Sequence, residues 1–269
     1  MLLDFSKMAW PLRLFLVAVA LCTLLFLLMP IVFIVALSFG SSQWLVFPPP
    51  SWTMKWYTVL FADSSWLDAA GASARVALVV SALSVAIGYA TALALKRGDF
   101  RGKEILRALF LTPMIMPVVI LAVALYALFL KLGLTGTYVG FVISHLVVAL
   151  PFSIIAISNS LESFDFTLED AARICGANEW EVRWRVTFPA IRLGLLAAGT
   201  FSFLVSWDEV VVSIFMSTPG VETLPVKIWS TLRQDLSPTI AAASSLMIAI
   251  TVVFMVVGSA LSKPQHDKK

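Results

Sequence analysis

Long apolar runs separated by short polar segments dominate the hydropathy pattern of the chain. Six runs reach the roughly 20 residues that a helix needs to cross the hydrocarbon core of a bilayer. They lie at about residues 12–39, 74–95, 105–130, 139–160, 190–216 and 240–262. Each run is predicted to be helical, because a backbone exposed to lipid must satisfy its own hydrogen bonds. The pattern therefore predicts an all-α, polytopic membrane protein with about six transmembrane helices in a single domain over residues 1–269.

The composition agrees with this prediction. Hydrophobic residues make up 60% of the chain and charged residues only 13%, with a mean hydropathy of +0.94, whereas soluble domains carry about 25% charged residues. The first run is too long for a signal peptide and lacks a clear small-x-small cleavage site, which favours an uncleaved membrane anchor.

Basic residues are distributed unequally between the two sides that six spans would create. One side would hold most of them: Lys7, Arg13, Lys96, Arg97, Arg101, Lys103, Arg107, Arg173, Arg183, Arg185, Arg192, Lys263, Lys268 and Lys269. The other side would hold Lys55, Arg75, Lys131, Lys227 and Arg233. The positive-inside rule places the first side, with both termini, in the cytoplasm. The net charge of +3 is thus a topology signal. We expect no nucleic-acid binding, because no basic patch alternates with aromatic residues.

One charged, helix-forming segment interrupts the apolar pattern between the fourth and fifth runs. Thr167 is predicted to cap a short helix with acids in its first turn, and Gly176 to end it in a left-handed turn. Asn178 is predicted to cap a second helix, which Pro189 would close. Such a pair of helices is either a solvated loop or a docking surface for a partner.

This segment resembles the EAA signature of permease subunits of binding-protein-dependent ABC importers. The resemblance rests on Glu169-Asp170-Ala171-Ala172, Gly176 and Pro189, with Asp170 where the signature usually has alanine. It implies a type I ABC importer permease fold, in which residues 163–189 form the coupling loop that docks on a cytoplasmic ATPase. It favours docking over a merely solvated loop.

The fifth run contains two adjacent acids, Asp208 and Glu209, which are costly to place in a membrane and commonly mark a substrate or ion path. If the run is one continuous helix, Glu209 shares a face with Ser202, Ser206 and Ser213, and Asp208 lies about 100° away. Glu209 and Ser206 are therefore predicted to line the path, with Asp208 reaching it from the side or pairing with another subunit. The alternative is a structural acid pair or an acid at the outer interface.

An aromatic segment follows Pro48-Pro49-Pro50 in the first outer loop and is predicted to form a short interfacial helix. Within it, Trp56 belongs either to an aromatic belt at the membrane surface or to a site that covers a cationic substrate.

No catalytic, phosphate-binding or metal-binding motif is present, so the chain is not expected to be an enzyme or to hold a cofactor of its own. Cys22 and Cys175 are not expected to form a disulfide. His145 is expected to be a hydrogen-bonded histidine between helices rather than a ligand.

The resemblance narrows to the second permease subunit of spermidine/putrescine importers. It is densest over Ser206–Val212, Thr218-Pro219-Gly220, residues 224–229 and 236–241, and includes Trp56-Tyr57. In that branch, the positions matching Trp56, Glu179, Ser206, Asp208 and Glu209 are associated with uptake. The branch often carries an acid where this chain has Val118, so another cationic or zwitterionic amine, an opine or an aminophosphonate stays open as the substrate.

The sequence thus predicts an inner-membrane permease subunit of an ATP-driven bacterial importer. The resemblance implies a second homologous permease, two ATPase subunits that bind ATP and magnesium, and a periplasmic or lipid-anchored substrate-binding protein. A secondary transporter or channel is the rival, and it would need internal repeats or interrupted helices within one chain.

Overall fold

Helices account for nearly all of the secondary structure in residues 9–234 and 236–261, the residues that the computed structural model describes. No strand occurs among these residues. In chain order the helices are α1 (Trp10–Ser38), α2 (Lys55–Ala62), α3 (Ser64–Arg97), α4 (Lys103–Ile115), α5 (Val118–Leu132), α6 (Tyr138–Glu162), α7 (Thr167–Ile174), α8 (Glu179–Val182), α9 (Phe188–Ala190), α10 (Arg192–Trp207), α11 (Val211–Met216), α12 (Leu224–Gln234) and α13 (Pro238–Leu261). The all-α fold class is confirmed.

Four helices, α1, α3, α6 and α13, are long and apolar enough to cross a bilayer. They overlap the first, second, fourth and sixth predicted runs, although α3 begins well before the predicted boundary at residue 74. The last residue of the sixth run, 262, lies outside the described residues, as do Lys7, Lys263, Lys268 and Lys269, which the orientation prediction used.

The third predicted run is not one continuous helix, so that part of the prediction is wrong. Its two pieces, α4 and α5, meet at a bend of 108°. Between them Met116 is extended, with φ −74° and ψ 141°. The cause is Pro117, because a proline pushes the preceding residue out of the helical region.

The fifth run is also interrupted. The helix α10 ends at Trp207 and α11 begins at Val211. We call residues 208–210 the helix break. A non-helical backbone within a membrane is tolerated only where it is buried in protein or lines a water-filled cavity. The break therefore marks a place where other protein or water covers the backbone.

By their internal contacts the described residues form two compact units, one within residues 1–63 and 231–247 and the other within residues 64–230 and 248–269, the undescribed residues set aside. In the first unit, α1 continues into a loop that returns to α2. Gly40 pairs with Trp52 across this loop, and the Ser38 and Tyr57 hydroxyls lie 2.8 Å apart. The predicted short helix after the prolines is confirmed as α2.

The second unit is built around α3, α6 and α10, which pack on one another. Their contacts use small and hydroxyl side chains, as is usual between membrane helices. Ser153 Oγ donates to the Ser84 carbonyl at 2.7 Å, and Ser81 Oγ donates to the Gly199 carbonyl at 2.7 Å. A Cβ on Gly88 would lie only 2.5 Å from Ser153 Oγ. The close approach of α3 and α6 therefore requires glycine at position 88.

Candidate functional site

The coupling loop begins with α7, whose start differs from the prediction in one respect. Thr167 is the first residue of the helix and makes no side-chain cap, so its predicted capping role is wrong. The carboxylate of Asp165 accepts a hydrogen bond from the Thr167 amide at 3.0 Å, and this bond lowers the pKa of Asp165. Asp165 precedes Thr167 by two residues, the spacing at which an Asp side chain readily binds a backbone N–H group.

Gly176 stops α7 as predicted. The helix ends at Ile174 and Gly176 adopts φ +92°. The Gly176 amide donates to the Arg173 carbonyl at 2.9 Å, and the Ala177 amide donates to the Ala172 carbonyl at 3.1 Å. Nothing lies within 4 Å of a Cβ built on Gly176. The requirement for glycine here is therefore conformational rather than steric.

Asn178 caps the second helix as predicted, in a reciprocal capping box with Glu181. The continuous helical stretch Glu179–Ala190 bends by 73° at Ile191 into α10, so it ends one residue after the predicted closing residue, Pro189. A π-helical segment, Arg183–Thr187, precedes it. A proline ring clashes with the carbonyl four residues earlier in an α-helix, and the wider π turn relieves this conflict.

Glu169 is the most buried member of the predicted coupling set, with a side chain only 1% exposed. Its carboxylate accepts hydrogen bonds from Arg97 at the end of α3, from Thr187 Oγ1 at 2.6 Å and from Arg173 at 3.3 Å. A buried carboxylate needs such partners to offset its desolvation. Glu169 therefore holds the loop against α3. The signature suggested Glu169 as a docking contact, but its side chain is buried inside the loop.

Arg173 joins three predicted coupling residues into one network. Its guanidinium donates to Glu179 Oε1 at 2.6 Å and to Asp170 Oδ1 at 2.6 Å, and it also reaches Glu169. The hydrogen bond from Arg173 lowers the pKa of Glu179, so Glu179 stays ionised at neutral pH. Sequence reasoning missed Arg173 as the hub. The i,i+3 and i,i+4 spacings to Asp170 and Glu169 were the available signal.

The coupling loop also carries large apolar side chains on its outer surface. Ile174 is 88% exposed and Trp180 69% exposed, and Leu168 and Trp184 are exposed as well. The rings of Trp180 and Trp184 lie 5.7 Å apart, and Trp184 continues to Phe188 at 5.0 Å. Large exposed apolar patches rimmed by polar residues are typical of protein interaction sites. The tryptophans were missed, although their i,i+4 spacing was visible in the sequence.

The helix break changes the expected arrangement of the two acids. Because α10 ends at Trp207, the continuous face through Ser202, Ser206, Glu209 and Ser213 does not exist. The Glu209 carboxylate turns back and accepts a hydrogen bond from the Val212 amide at 2.8 Å, which caps the start of α11. Asp208 is exposed. Of the two acids, Asp208 is therefore the more exposed.

Ser206 is buried and engaged with a histidine. His145 Nδ1 lies 2.9 Å from Ser206 Oγ, and His145 Nε2 lies 2.8 Å from Ser213 Oγ. The histidine itself is 1% exposed. The prediction of a hydrogen-bonded histidine between helices is confirmed, and the Ser206 hydroxyl faces His145 rather than an open surface.

Trp56 is buried in its own unit, with an exposed fraction of 8%. Its indole N–H donates to the Gly40 carbonyl at 2.7 Å. The ammonium of Lys55 lies 5.0 Å from the centre of its ring. A buried Trp56 does not fit the aromatic-belt interpretation, which needs the ring at the membrane surface. The cation above the ring is the side chain of Lys55, not a substrate.

No group of three or more His, Cys, Asp or Glu side chains suited to a metal ion occurs in residues 9–234 and 236–261.

Comparison with known proteins decides the class. The family described as "binding-protein-dependent transport system inner membrane component" matches residues 84–264, which include the coupling loop and the helix break. The chain belongs to this family. It is a membrane permease subunit of an ABC importer. Interrupted helices were also expected of the rival, a secondary transporter, so they do not by themselves distinguish the two classes.

Several curated relatives align over most of the chain. The spermidine/putrescine transport system permease protein PotC of Escherichia coli (strain K12) is 30% identical over 241 residues, covering 88% of this chain and 90% of PotC. The putrescine transport system permease protein PotI of the same strain is 28% identical over 255 residues, covering 90% of this chain and 89% of PotI.

Solved structures show the same fold. A bacterial ABC transporter involved in the import of the acidic polysaccharide alginate matches with a TM-score of 0.70 and 18% identity, over 94% of this chain and 98% of that chain. The MetNI methionine ABC transporter in an inward-facing conformation matches with a TM-score of 0.60 and 18% identity, over 74% of this chain and 96% of that chain. The type I importer permease fold is thereby confirmed.

Proposed function

We propose that this permease carries polyamines, such as putrescine and spermidine, across the bacterial inner membrane. The observation that carries the proposal is the near full-length similarity to PotC and PotI, whose names state polyamine transport. The exposed Asp208 carboxylate agrees with it, because a cationic amine crossing a membrane needs a negative partner.

The chain supplies half of the path in this proposal. A second homologous permease completes the enclosure, two ATPase subunits bind the coupling loops, and a periplasmic or lipid-anchored binding protein delivers the substrate to the outer face. ATP and magnesium bind to the ATPase subunits. Both termini and the coupling loop lie in the cytoplasm, as the distribution of basic residues favours.

Force passes from the ATPase to the path through a short series of contacts. ATPase closure moves α7 and α8, which the Glu169 network ties to the end of α3 through Arg97. The chain then turns at Ile191 into α10, and α10 ends at the helix break. Such rigid-element movement about a few bent residues is a common form of conformational switching. In this way ATP hydrolysis on the partner subunits changes the exposure of Asp208.

The permease reconstituted in nanodiscs with its partner subunits tests the proposal. Its ATPase activity is measured with the partner binding protein loaded in turn with putrescine, spermidine, an opine and an aminophosphonate. Polyamines are expected to stimulate hydrolysis and the other two compounds are not. Stimulation by the opine or the aminophosphonate alone contradicts a polyamine substrate and retains the importer class.

A further inference from the structure

The helix break is held by one buried side chain from a neighbouring helix. His145 projects from α6, and its two ring nitrogens bind Ser206 on the last turn of α10 and Ser213 on α11. All three side chains are at most 3% exposed. The two serines lie on opposite sides of residues 208–210, so His145 spans the break.

The geometry of this contact depends on the break. In a straight α-helix, seven residues rise by about 10.5 Å, so Ser206 and Ser213 would be two turns apart. Here their hydroxyl oxygens lie 2.9 Å and 2.8 Å from two nitrogens of a single five-membered ring. One imidazole cannot reach both hydroxyls across two full turns. Straightening of residues 208–210 would therefore break at least one of these hydrogen bonds.

The histidine is well placed to act as a fixed point. Its own helix, α6, packs closely on α3 at Gly88 and Ser153, and its ring packs against Phe141 with the ring centres 5.9 Å apart. On the other side, α10 leads directly from the coupling loop. A neutral imidazole offers one donor and one acceptor, and a serine hydroxyl can complement either. Both bonds can therefore form without a charge on the ring.

We infer that His145 is a positioning residue that holds the helix break open and thereby keeps Asp208 exposed. Its side chain is buried, so it is not placed to meet a substrate directly. It acts through Ser206 and Ser213, which fix where α10 ends and where α11 begins. The contribution to uptake rests on the proposed role of Asp208 in the path, whereas the contribution to the shape of the break does not.

Cysteine labelling tests the shape of the break without any transport. Val210→Cys is introduced in a chain lacking Cys22 and Cys175, and its rate of reaction with a maleimide is measured in membrane vesicles. His145→Ala is expected to change this rate by about threefold or more, because the loss of both hydrogen bonds changes how often the break adopts a conformation that exposes the thiol.

The matched control is Ser144→Ala. Ser144 is equally buried and neighbours His145, but its hydroxyl bonds only to the Phe141 carbonyl of its own helix at 3.0 Å. The control is expected to leave labelling unchanged. If His145→Ala leaves it unchanged too, the inference is wrong, whatever the substrate of the importer.

Uptake kinetics separate positioning from a loss of folded protein. His145→Ala is expected to raise the KM for putrescine by about fivefold at matched membrane levels, with little change in the maximal rate per molecule. His145→Asn can replace only the bond to Ser206 and His145→Gln only the bond to Ser213, so each is expected to restore part of the loss. A fall in membrane level with unchanged KM would show a structural role alone and overturn the inference.

Single serine variants keep the test valid if His145→Ala does not accumulate. Ser206→Ala and Ser213→Ala each delete one bond and leave the imidazole in place. Each is expected to alter the labelling rate of the Val210→Cys chain in the same direction as His145→Ala. Since one network links the three residues, the effects of Ser206→Ala and Ser213→Ala should be non-additive. If the two effects on the labelling rate add exactly, the serines do not act through one shared histidine.

Discussion

At the scale of single residues, the two neighbouring acids of the fifth run have different surroundings. Glu209 is used locally, since its carboxylate caps the amide of Val212. Asp208 is the more exposed of the two and makes no such local cap. The sequence suggested the opposite preference, because it placed both residues on an unbroken helix.

The first prediction compares these acids directly. Asp208→Asn is expected to lower putrescine uptake by about tenfold, equivalent to about 1.4 kcal/mol of transition-state stabilisation. Glu209→Gln is expected to cost less, because the amide oxygen of glutamine can still accept the Val212 N–H bond. Radiolabelled putrescine uptake at matched membrane levels measures both, with Glu104→Gln as the control for an exposed acid of α4. A larger loss in Glu209→Gln than in Asp208→Asn would reverse the assignment.

The second prediction concerns Val118. This residue opens α5 directly after Pro117 and is 36% exposed. A carboxylate in the first turn of a helix is favoured by the helix dipole, so Val118→Asp should be tolerated. If this wall faces the path, uptake of spermidine should rise, because a second negative group would meet the substrate. Val118→Asn controls for shape without charge, and equal uptake by both variants would exclude position 118 from the path.

At the scale of elements, the local signals at Gly176 and Asn178 were read correctly, the one at Thr167 was not, and the contacts with distant residues were not foreseen. Gly176 and Asn178 were assigned from the sequence because a left-handed stop and an N-cap depend on neighbouring residues only. The burial of Glu169 was not foreseen, since its partner Arg97 comes from a different helix far along the chain. The bend between α4 and α5 has a visible cause in Pro117. It was not foreseen because the residues on both sides of Pro117 are equally apolar.

The third prediction tests the turn between α7 and α8. Gly176→Val places a β-branched residue at φ +92°, at a local cost of about 1–2 kcal/mol. The variant should insert normally but lose substrate-stimulated ATP hydrolysis in the purified complex. Gly220→Val is the matched control, because that glycine also has open space around it and no left-handed φ. Normal stimulation in Gly176→Val would remove the turn from the coupling mechanism.

At the scale of the whole molecule, the exposed apolar surface of the coupling loop calls for a partner. Trp180 and Trp184 form the start of an exposed aromatic row on a loop whose interior holds the buried carboxylate of Glu169. In protein interfaces, tryptophans of this kind often carry much of the binding free energy.

The fourth prediction follows from this surface. Trp180→Ala and Trp184→Ala are each expected to weaken ATPase binding by about 2 kcal/mol, roughly thirtyfold in affinity. Co-purification of the ATPase with the permease and titration in nanodiscs measure the effect. Trp229→Ala removes a comparably exposed tryptophan from α12 and should leave binding intact. Equal losses in all three variants would point to general instability rather than docking.

The apolar surface of α1 bears on how this helix can rotate in the membrane. Its apolar residues are spread evenly around the axis from Trp10 to Ser38, and its most hydrophobic stretch is fully exposed. A helix with no polar stripe has no preferred side to turn toward lipid, because hydrocarbon tails are as apolar as leucine. Its rotation about its own axis is therefore not set by the bilayer. A spin label at Cys22, halfway along the helix, would report that azimuthal freedom and its loss whenever a neighbour selects one face.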